Sequence, residues 1–262
     1  MAAALGVVAG VGWGGRHVGA RIVVSEDFGL RALEVEGLRV LTGDEVLAAS
    51  GLALGDNIFA VEPHKVARRL ESVPWVKKAF VRRRPPDRLV VELVERRRLA
   101  WIDVGEVLGV DAHGVLLPGA GRMASESWRD LDLPVISGLR VGPDSLQAGA
   151  APLCPGMSVP DSAVVPLLQW WQEACAADPE FSQNVSEIRP LGAGAVSLRL
   201  VGDGLEVRLP TDRVGERLKV LRNLIQRVYC ECPDPAYIDM RFAGQVVVGS
   251  KAEQKEPDES QS

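Results

Sequence analysis

The sequence has 262 residues, a hydrophobic fraction of 47% and a formal net charge of −5. This length suits two modest domains that each bury a core. The hydrophobic fraction excludes wholesale disorder, and the negative charge does not favour a protein that binds nucleic acid.

The chain starts with a run of small apolar residues from Ala2 to Gly15, which Arg16, His17 and Arg21 then interrupt. A membrane-spanning helix needs about 20 apolar residues. We expect residues 1–24 to be a membrane segment and its juxtamembrane linker, with the span beginning upstream of the written start. A cleaved signal peptide is the alternative.

The same run contains the pattern G-x-G-x-x-G between Gly10 and Gly15. After a strand, this pattern is typical of a dinucleotide-binding turn, so a nucleotide-binding enzyme is one hypothesis. Such a fold needs further βαβ units, and the segment that follows does not have that pattern. Small residues in a membrane helix account for the glycines more simply.

Residues 28–101 predict three strands and two helices in the order βααββ. Leu33 and Val35 alternate with glutamates, which is typical of a half-buried strand. Thr42 and Glu45 form a capping box at the start of a helix, and Gly51 suits its left-handed end.

The second predicted helix contains Val66 and Leu70 at helical spacing and ends by Pro74. The sequence Pro85-Pro86-Asp87 then separates two strands, the second of which alternates Leu89, Val91 and Leu93 on one face. A small unit of this kind exposes a sheet edge, and exposed edges recruit proteins more often than they support chemistry.

Positive charge is concentrated between Lys65 and Arg98, where twelve basic and four acidic residues give a local balance of +8. The remainder of the chain therefore carries −13. A solvated sheet face explains this cluster most simply, and a partner- or lipid-facing patch is the alternative. Arg82, Arg84 and Arg88 are the candidate contact face. Nucleic acid is disfavoured because no aromatic residues for base stacking alternate with the arginines.

The sequence contains no constellation that indicates catalysis. His17, His64 and His113 are scattered, and no zinc-protease, serine-hydrolase or P-loop motif is present. Residues 111–114 are better interpreted as a turn between short strands. We therefore predict a protein that is not an enzyme and that needs no cofactor or metal.

The four cysteines are Cys154, Cys175, Cys230 and Cys232. An even count permits disulfides in an extracytoplasmic domain. We expect one bridge between Cys154 and a distal cysteine. In the alternative interpretation, Cys175 is a small apolar residue in a helix core.

The C-terminal half predicts a helix over residues 161–177, three strands over 185–190, 196–200 and 205–209, and a second helix capped by Asp212. A strand over residues 237–242, a turn at 243–244 and a last strand over 245–248 follow. A terminal strand rich in β-branched residues can pair with other chains if its edge is left unpaired. We therefore expect either that an internal neighbour covers it or that a partner strand adds to it.

Several short motifs in this order resemble the POTRA domain and the following β-rich domain of the FtsQ/DivIB family of bacterial cell-division proteins. They are Val35-Glu36-Gly37, Gly55-x-Asn57-Ile58-Phe59, Pro74-Trp75-Val76, Ala79-x-Val81-x-Arg83, Pro86-x-x-Leu89, Glu95-Arg96, Leu99-Ala100-Trp101, Gly114-Val115-Leu116 and Tyr237-Ile238-Asp239-Met240-Arg241-Phe242. The resemblance covers residues 28–249 and is poorest over 119–151.

The resemblance implies an α+β fold with a membrane segment at residues 1–24, a POTRA domain at 25–99, a β-rich domain with two helices and a closing edge strand at 100–249, and a disordered tail at 250–262. It implies a single-pass protein of the cytoplasmic membrane whose main domains are extracytoplasmic and lie at the division septum.

The implied partners are FtsB and FtsL, with the wider divisome that includes FtsW and FtsI, and the implied role is control of septal peptidoglycan synthesis. The partner-binding residues that we predict are Tyr237, Asp239, Arg241, Phe242, Val246, Val247 and Val248. A different POTRA-containing periplasmic assembly or chaperone protein is the alternative.

Overall fold

A computed structural model describes residues 28–121, 131–140, 152–192, 194–242 and 244–251. The chain divides into two compact units between Arg96 and Arg97. The predicted membrane segment and the glycine motif between Gly10 and Gly15 lie outside the described residues. Over the described ranges, none of the helices combines the length and the apolar character that crossing a membrane requires.

The first unit has the predicted βααββ order. Its elements are β1 (Ala32–Glu36), α1 (Gly43–Ser50), α2 (Pro63–Glu71), β2 (Val76–Arg84) and β3 (Arg88–Glu95). The sheet order is β1-β3-β2, in which β1 runs parallel to β3 and β2 runs antiparallel to it. Long strand β2 is therefore an edge of this sheet.

Local sequence signals explain the start and end of α1. The Thr42 hydroxyl accepts the Glu45 amide, and the Glu45 carboxylate accepts the Thr42 amide at 2.8 Å, so the predicted capping box is confirmed. Gly51 ends the helix with φ of 68°, in the left-handed region that glycine tolerates best. Val46 on α1 packs with Val66 and Leu70 of α2.

The described residues of the second unit form nine strands and three helices. The strands are β4 (Ala100–Asp103), β5 (Val107–Val110), β6 (Leu116–Leu117), β7 (Val135–Ile136), β8 (Val185–Gly192), β9 (Ala195–Leu200), β10 (Glu206–Pro210), β11 (Pro235–Asp239) and β12 (Val247–Ser250). The helices are α3 (Val164–Ala177), α4 (Pro179–Ser182) and α5 (Val214–Glu231).

These strands form one sheet in the order β12-β11-β10-β9-β8-β7-β4-β5-β6. Pairing is parallel where β7 joins β4 and β8, and where β10 joins β11; the other pairs are antiparallel. Ile188, Leu198, Val207 and Ile238 occupy matched positions on β8 to β11, and each is fully buried. They belong to one core with residues of α3 and α5, so this face of the sheet is the core face.

The second helix does not begin as the sequence predicts. Asp212 was expected to cap it, but the N-cap residue is Arg213, with φ of 49° and no capping side chain. The Asp212 carboxylate instead lies 3.2 Å from Arg213 Nε and 3.5 Å from Arg217 Nη2. The Asp212 carboxylate therefore pairs with two nearby arginines instead of accepting a hydrogen bond from a helix amide.

The closing hairpin is also displaced from its predicted position. Its strands end at Asp239 and begin at Val247, so Phe242 and Val246 lie in the connection. Ser250, which was assigned to the tail, belongs to β12. Its hydroxyl and the Lys251 amide both donate to the Asp234 carbonyl, which extends the ordered structure. Residues 252–262 lie outside the described residues.

All four cysteines are free thiols in the structure, so the predicted bridge to Cys154 is wrong. Cys175 packs partly buried against the core, and burial raises its pKa. It therefore behaves as the small apolar helix residue of the alternative interpretation. The turn predicted at residues 111–114 is confirmed, because the Asp111 carboxylate accepts the His113 and Val115 amides.

Replacing Thr42 by alanine should lower the free energy of unfolding of the first unit by about 1 kcal/mol, because the Glu45 amide loses its acceptor. Urea unfolding followed by NMR resonances of the first unit measures the change. The Leu54→Ala variant, at a side chain 66% exposed, is the control and should change stability by less than about 0.5 kcal/mol. Equal effects of the two changes would contradict the capping role.

Candidate functional site

The candidate site is the outer edge of β12, the last strand of the sheet in the second unit. β12 pairs antiparallel with β11 on one side, and no described strand lies on its other side. Of the two alternatives that the sequence left open, an internal strand or an edge, the structure therefore shows an edge. An uncovered edge offers unpaired main-chain groups to another chain.

The hydrogen bonds of β11 show which residues of β12 face outward. The Met240 amide donates to the Arg208 carbonyl of β10 at 2.9 Å. Successive residues of a strand point their main-chain amides to opposite sides. The main-chain groups of Ile238 therefore also point to β10, whereas those of Tyr237 and Asp239 point to β12. Asp239 pairs with Val247 and Tyr237 with Gly249.

It follows that Val247 and Gly249 use their main-chain groups on β11, and that Val248 directs its amide and carbonyl away from the sheet. The far end of the strand agrees, since the Lys251 amide donates to the Asp234 carbonyl at 3.1 Å. The main-chain groups of the alternate residues 247, 249 and 251 thus all point towards β11. Val248 is the main point at which a further strand can pair.

Apolar side chains surround this edge. Phe242 is 52% exposed, and Val246, Val247 and Val248 are each close to 40% exposed. Val248 lies opposite Ile238, on the core face of the sheet, and Val247 lies opposite Asp239, on the other face. A strand added here would therefore find an apolar side chain on both faces.

The Tyr237 ring packs between Gly249 of β12 and the Arg208 guanidinium. The Tyr237 ring lies so close to Gly249 that a Cβ there would meet the ring at 2.2 Å. The Arg208 guanidinium lies on the ring, 4.6 Å from its centroid. A side chain at position 249 would collide with this ring. The close approach of the ring explains why glycine, which usually weakens a strand, is found here.

Asp239 is a buried charge that holds the chain beyond β11. It is 3% exposed, and its carboxylate accepts two bonds from Arg241 Nε, at 2.9 and 3.1 Å, and one from Nη2 at 2.6 Å. These bonds to Arg241 lower the pKa of Asp239. A charge-assisted fork of this kind fixes orientation as well as charge, so it aims Arg241 and the adjoining Phe242.

Glu206 on β10 is the centre of the neighbouring ion-pair network. Its carboxylate accepts Arg208 Nε at 3.0 Å and the Ser197 hydroxyl at 2.7 Å, and Arg189 Nη2 lies 3.1 Å away. Burial raises the pKa of Glu206, but the bonds from Arg208 and Ser197 outweigh it and lower the pKa to about 2. The sheet face opposite the core is thus charged and internally paired.

The structure brings the predicted partner-binding residues together but divides their roles. Phe242, Val246, Val247 and Val248 are exposed, whereas Asp239 is engaged within the fold and Tyr237 covers Gly249. Arg208, which contacts both Glu206 and Tyr237, is not among the residues predicted from the sequence. Alternation of Glu206 and Arg208 with the apolar Val207 and Leu209 was the available signal.

The predicted contact face of the first unit lies on one side of its sheet. Arg84 and Arg88 both pair with Glu34, at 2.7 and 2.6 Å, and Arg82 pairs with Glu92 at 3.1 Å. The three arginines remain more than half exposed. Their partners offset part of the positive charge, so the face is a mixed-charge surface and less strongly cationic than the sequence suggests.

Arginines hold the carboxylates of these two surfaces. Their hydrogen bonds lower the pKa of Glu34, Glu206 and Asp239, whereas acid–base catalysis works best with a pKa near neutrality. In the described part of the chain, no group of three or more histidine, cysteine, aspartate or glutamate residues is placed to hold a metal.

Replacing Glu206 by glutamine should flatten the acid dependence of stability. The folded-state pKa of about 2 lies below the ordinary value of 4.5. The stabilisation is therefore complete above pH 4.5 and is lost as the pH falls towards 2. The variant should be less stable at neutral pH and lose less stability across this window than the unmodified protein.

Urea unfolding at a series of pH values measures this effect. Glu231→Gln is the control, since that side chain is 75% exposed and 3.8 Å from Arg227. An unchanged acid slope in the Glu206 variant would contradict the network.

Comparison with known proteins agrees with this geometry. The model "POTRA domain, FtsQ-type" matches residues 28–96, and the model "Cell division protein FtsQ/DivIB, C-terminal" matches residues 100–241. Together they match the described residues of the first unit and most of the second, and they end before β12.

Curated relatives match over most of their length. The cell division protein FtsQ of Anaeromyxobacter sp. is 31% identical, over 92% of this chain and 79% of that protein. The FtsQ proteins of Syntrophotalea carbinolica and Myxococcus fulvus are 27% and 30% identical, over 94% and 78% of this chain and 81% and 68% of those proteins. The resemblance found in the sequence is confirmed: the chain belongs to the FtsQ/DivIB family of cell-division proteins.

Proposed function

We propose that this protein is a non-enzymatic scaffold of the division machinery that binds FtsB and FtsL and helps to control septal peptidoglycan synthesis. In this proposal it is anchored in the cytoplasmic membrane by a single span and its two units are extracytoplasmic, at the septum. FtsB contacts the edge of β12, and FtsW and FtsI are reached through the assembled complex. The open outer edge of β12 is the observation that carries the proposal.

The chemistry of strand addition suits this edge. The outward amide and carbonyl of Val248 would pair with the main chain of an added FtsB strand, and main-chain hydrogen bonds supply affinity without demanding a particular side chain. Apolar contacts with Val246, Val247 and Val248 add burial, worth about 25 cal/mol for each Å² removed from water.

Specificity comes from the groups that border the strand. Arg241 is held by Asp239 and stays 37% exposed along its side chain, so it presents a fixed cation beside Phe242. A carboxylate on the added strand would complement it. Asp239 itself acts as a positioning residue, because its carboxylate is buried beneath Arg241.

The first unit contributes a second contact in the same proposal. Phe80 is 55% exposed on β2 and, by the alternation of the strand, shares a face with Arg82 and Arg84. An exposed aromatic ring beside exposed arginines has the composition of a protein-interaction surface. We assign this face to another component of the divisome.

The change Val248→Pro should abolish co-purification of FtsB with the full chain. Proline removes the outward amide and leaves the inward bonds of Val247 and Gly249 to β11 intact. Pull-down of tagged FtsB, with circular dichroism and thermal unfolding to check the fold, measures both properties.

The matched control is Val248→Thr, which keeps the amide and the β-branched shape and should retain binding. Changing Val247 to proline is a different experiment, since it breaks a bond within the sheet. Wild-type retention of FtsB by a folded Val248→Pro protein would reject the edge of β12 as the site.

A further inference from the structure

The chain enters the first unit at one end of its sheet. Ala32 and Arg88, the first residues of β1 and β3, pair with each other, and the Arg31 amide donates to the Asp87 carbonyl at 2.8 Å. The starts of both strands and the turn before β3 therefore lie together. Because β3 runs away from this point and the unit ends just after it, the chain leaves the unit at the opposite end of β3.

The loop between α1 and α2 lies at the same end. The Gly55 amide donates to the Leu30 carbonyl, and the Leu30 amide donates to the Asp56 carbonyl, both at 2.8 Å. Leu54, next to this contact, is 66% exposed, the largest exposed fraction of any large apolar side chain in the described ranges. No charged or polar side chain occurs between Gly51 and Gly55. The tip of this loop is therefore an exposed apolar group beside the entering chain.

Two exposed arginines lie at this end as well. The side chains of Arg31 and Arg88 are 80% and 52% exposed, whereas those of their partners Asp87 and Glu34 are 19% and 28% exposed. The guanidinium groups are the more accessible members of these pairs, so an approaching surface meets the cations first. We call Arg31, Leu54 and Arg88 the N-terminal surface.

The length of the chain limits how far the N-terminal surface can lie from a membrane. The apolar run ends at Gly15, and residues 16–27 separate it from Phe28. Even fully extended, a chain of that length reaches only about 45 Å. The membrane anchor proposed above thus holds this surface near the bilayer at a high effective concentration, and the inference rests on that anchor.

We propose that the N-terminal surface binds the headgroup layer of an anionic phospholipid bilayer. Arg31 and Arg88 pair with lipid phosphates, and each arginine beside an anionic surface strengthens binding about fivefold. Leu54 inserts between the headgroups and the upper acyl chains, as apolar residues of interfacial segments do. Contacts this few bind a bilayer weakly by themselves, so the anchor makes them effective. Phe80, opposite Glu92, lies further along the sheet and belongs to the separate face assigned to a divisome component.

NMR of the full chain in lipid nanodiscs tests this contact. One nanodisc contains equal parts of phosphatidylglycerol and phosphatidylcholine, the other contains phosphatidylcholine alone, and both carry the same trace of a gadolinium-labelled headgroup lipid that broadens nearby signals. The Leu54 methyl and Gly55 amide signals should broaden strongly in the anionic nanodisc and several-fold less in the zwitterionic one. The Val94 methyl signals should broaden little in both, because Val94 is 46% exposed but lies about 20 Å from Arg88 along β3.

Two surface variants separate the charge from the apolar contribution. Arg31→Gln should lower the fraction of protein in contact with the anionic bilayer about fivefold. Leu54→Asp should reduce broadening of the Gly55 amide, because a carboxylate is repelled by anionic headgroups and resists insertion. Lys78→Gln is the matched control: Lys78 also pairs with one carboxylate, that of Glu71 at 2.9 Å, but lies at the other end of β2. It should broaden like the unmodified protein.

Equal Leu54 broadening in the two nanodiscs, Val94 broadening as strong as that of Leu54, or unchanged broadening in the Arg31 variant would overturn the proposal. Sharp Leu54 signals from a chain that co-elutes with the nanodiscs would overturn the lipid contact alone. A chain that does not co-elute with them would overturn the anchor as well. Leu54 signals that change only when FtsB is added would assign this surface to a protein partner and would likewise overturn the proposal.

Discussion

The parallel pairing of β10 with β11 is the constraint on which the candidate site depends. The Met240 amide bonds to the Arg208 carbonyl, and this bond determines which residues of β11 are left to face β12. It thereby determines that Val248 faces outward. The same pairing places Arg208 beside Tyr237 and within 3.8 Å of the Asp239 carboxylate. A slip of one residue would exchange core and charged faces along the whole edge.

Ion pairs extend across the charged face of the sheet as far as β11, the neighbour of this edge strand. Glu206 accepts bonds from Arg208, on its own strand, and from Arg189 on β8, and Asp239 accepts bonds from Arg241 in the connection that follows β11. Removing either carboxylate would leave arginines over a partly buried surface, which is costly. The network therefore joins β8 to β10 and anchors the connection that follows β11, the neighbour of the short terminal strand.

Much of the fold could be predicted from local patterns, because it depends on short-range chemistry. The capping box at Thr42, the turn at Asp111 and the apolar alternation of Leu89 and Val91 involve residues close in sequence. The features that differ depend on which of several partners a side chain contacts in the fold. The Asp212 carboxylate pairs with Arg213 and Arg217 instead of with the helix amides, and the Asp239 carboxylate lies 3.8 Å from Arg208, which lies on another strand. Which amides of β12 face outward follows from the sheet order, which the sequence does not reveal.

Amide hydrogen exchange along β12 reports strand addition at this edge residue by residue. The full chain is compared with and without the extracytoplasmic segment of FtsB. FtsB should slow exchange at Val248, whose amide points away from the sheet. Val247 and Gly249, already bonded to β11, should change little. Protection that appears elsewhere in the chain while Val248 still exchanges freely would contradict strand addition at this edge.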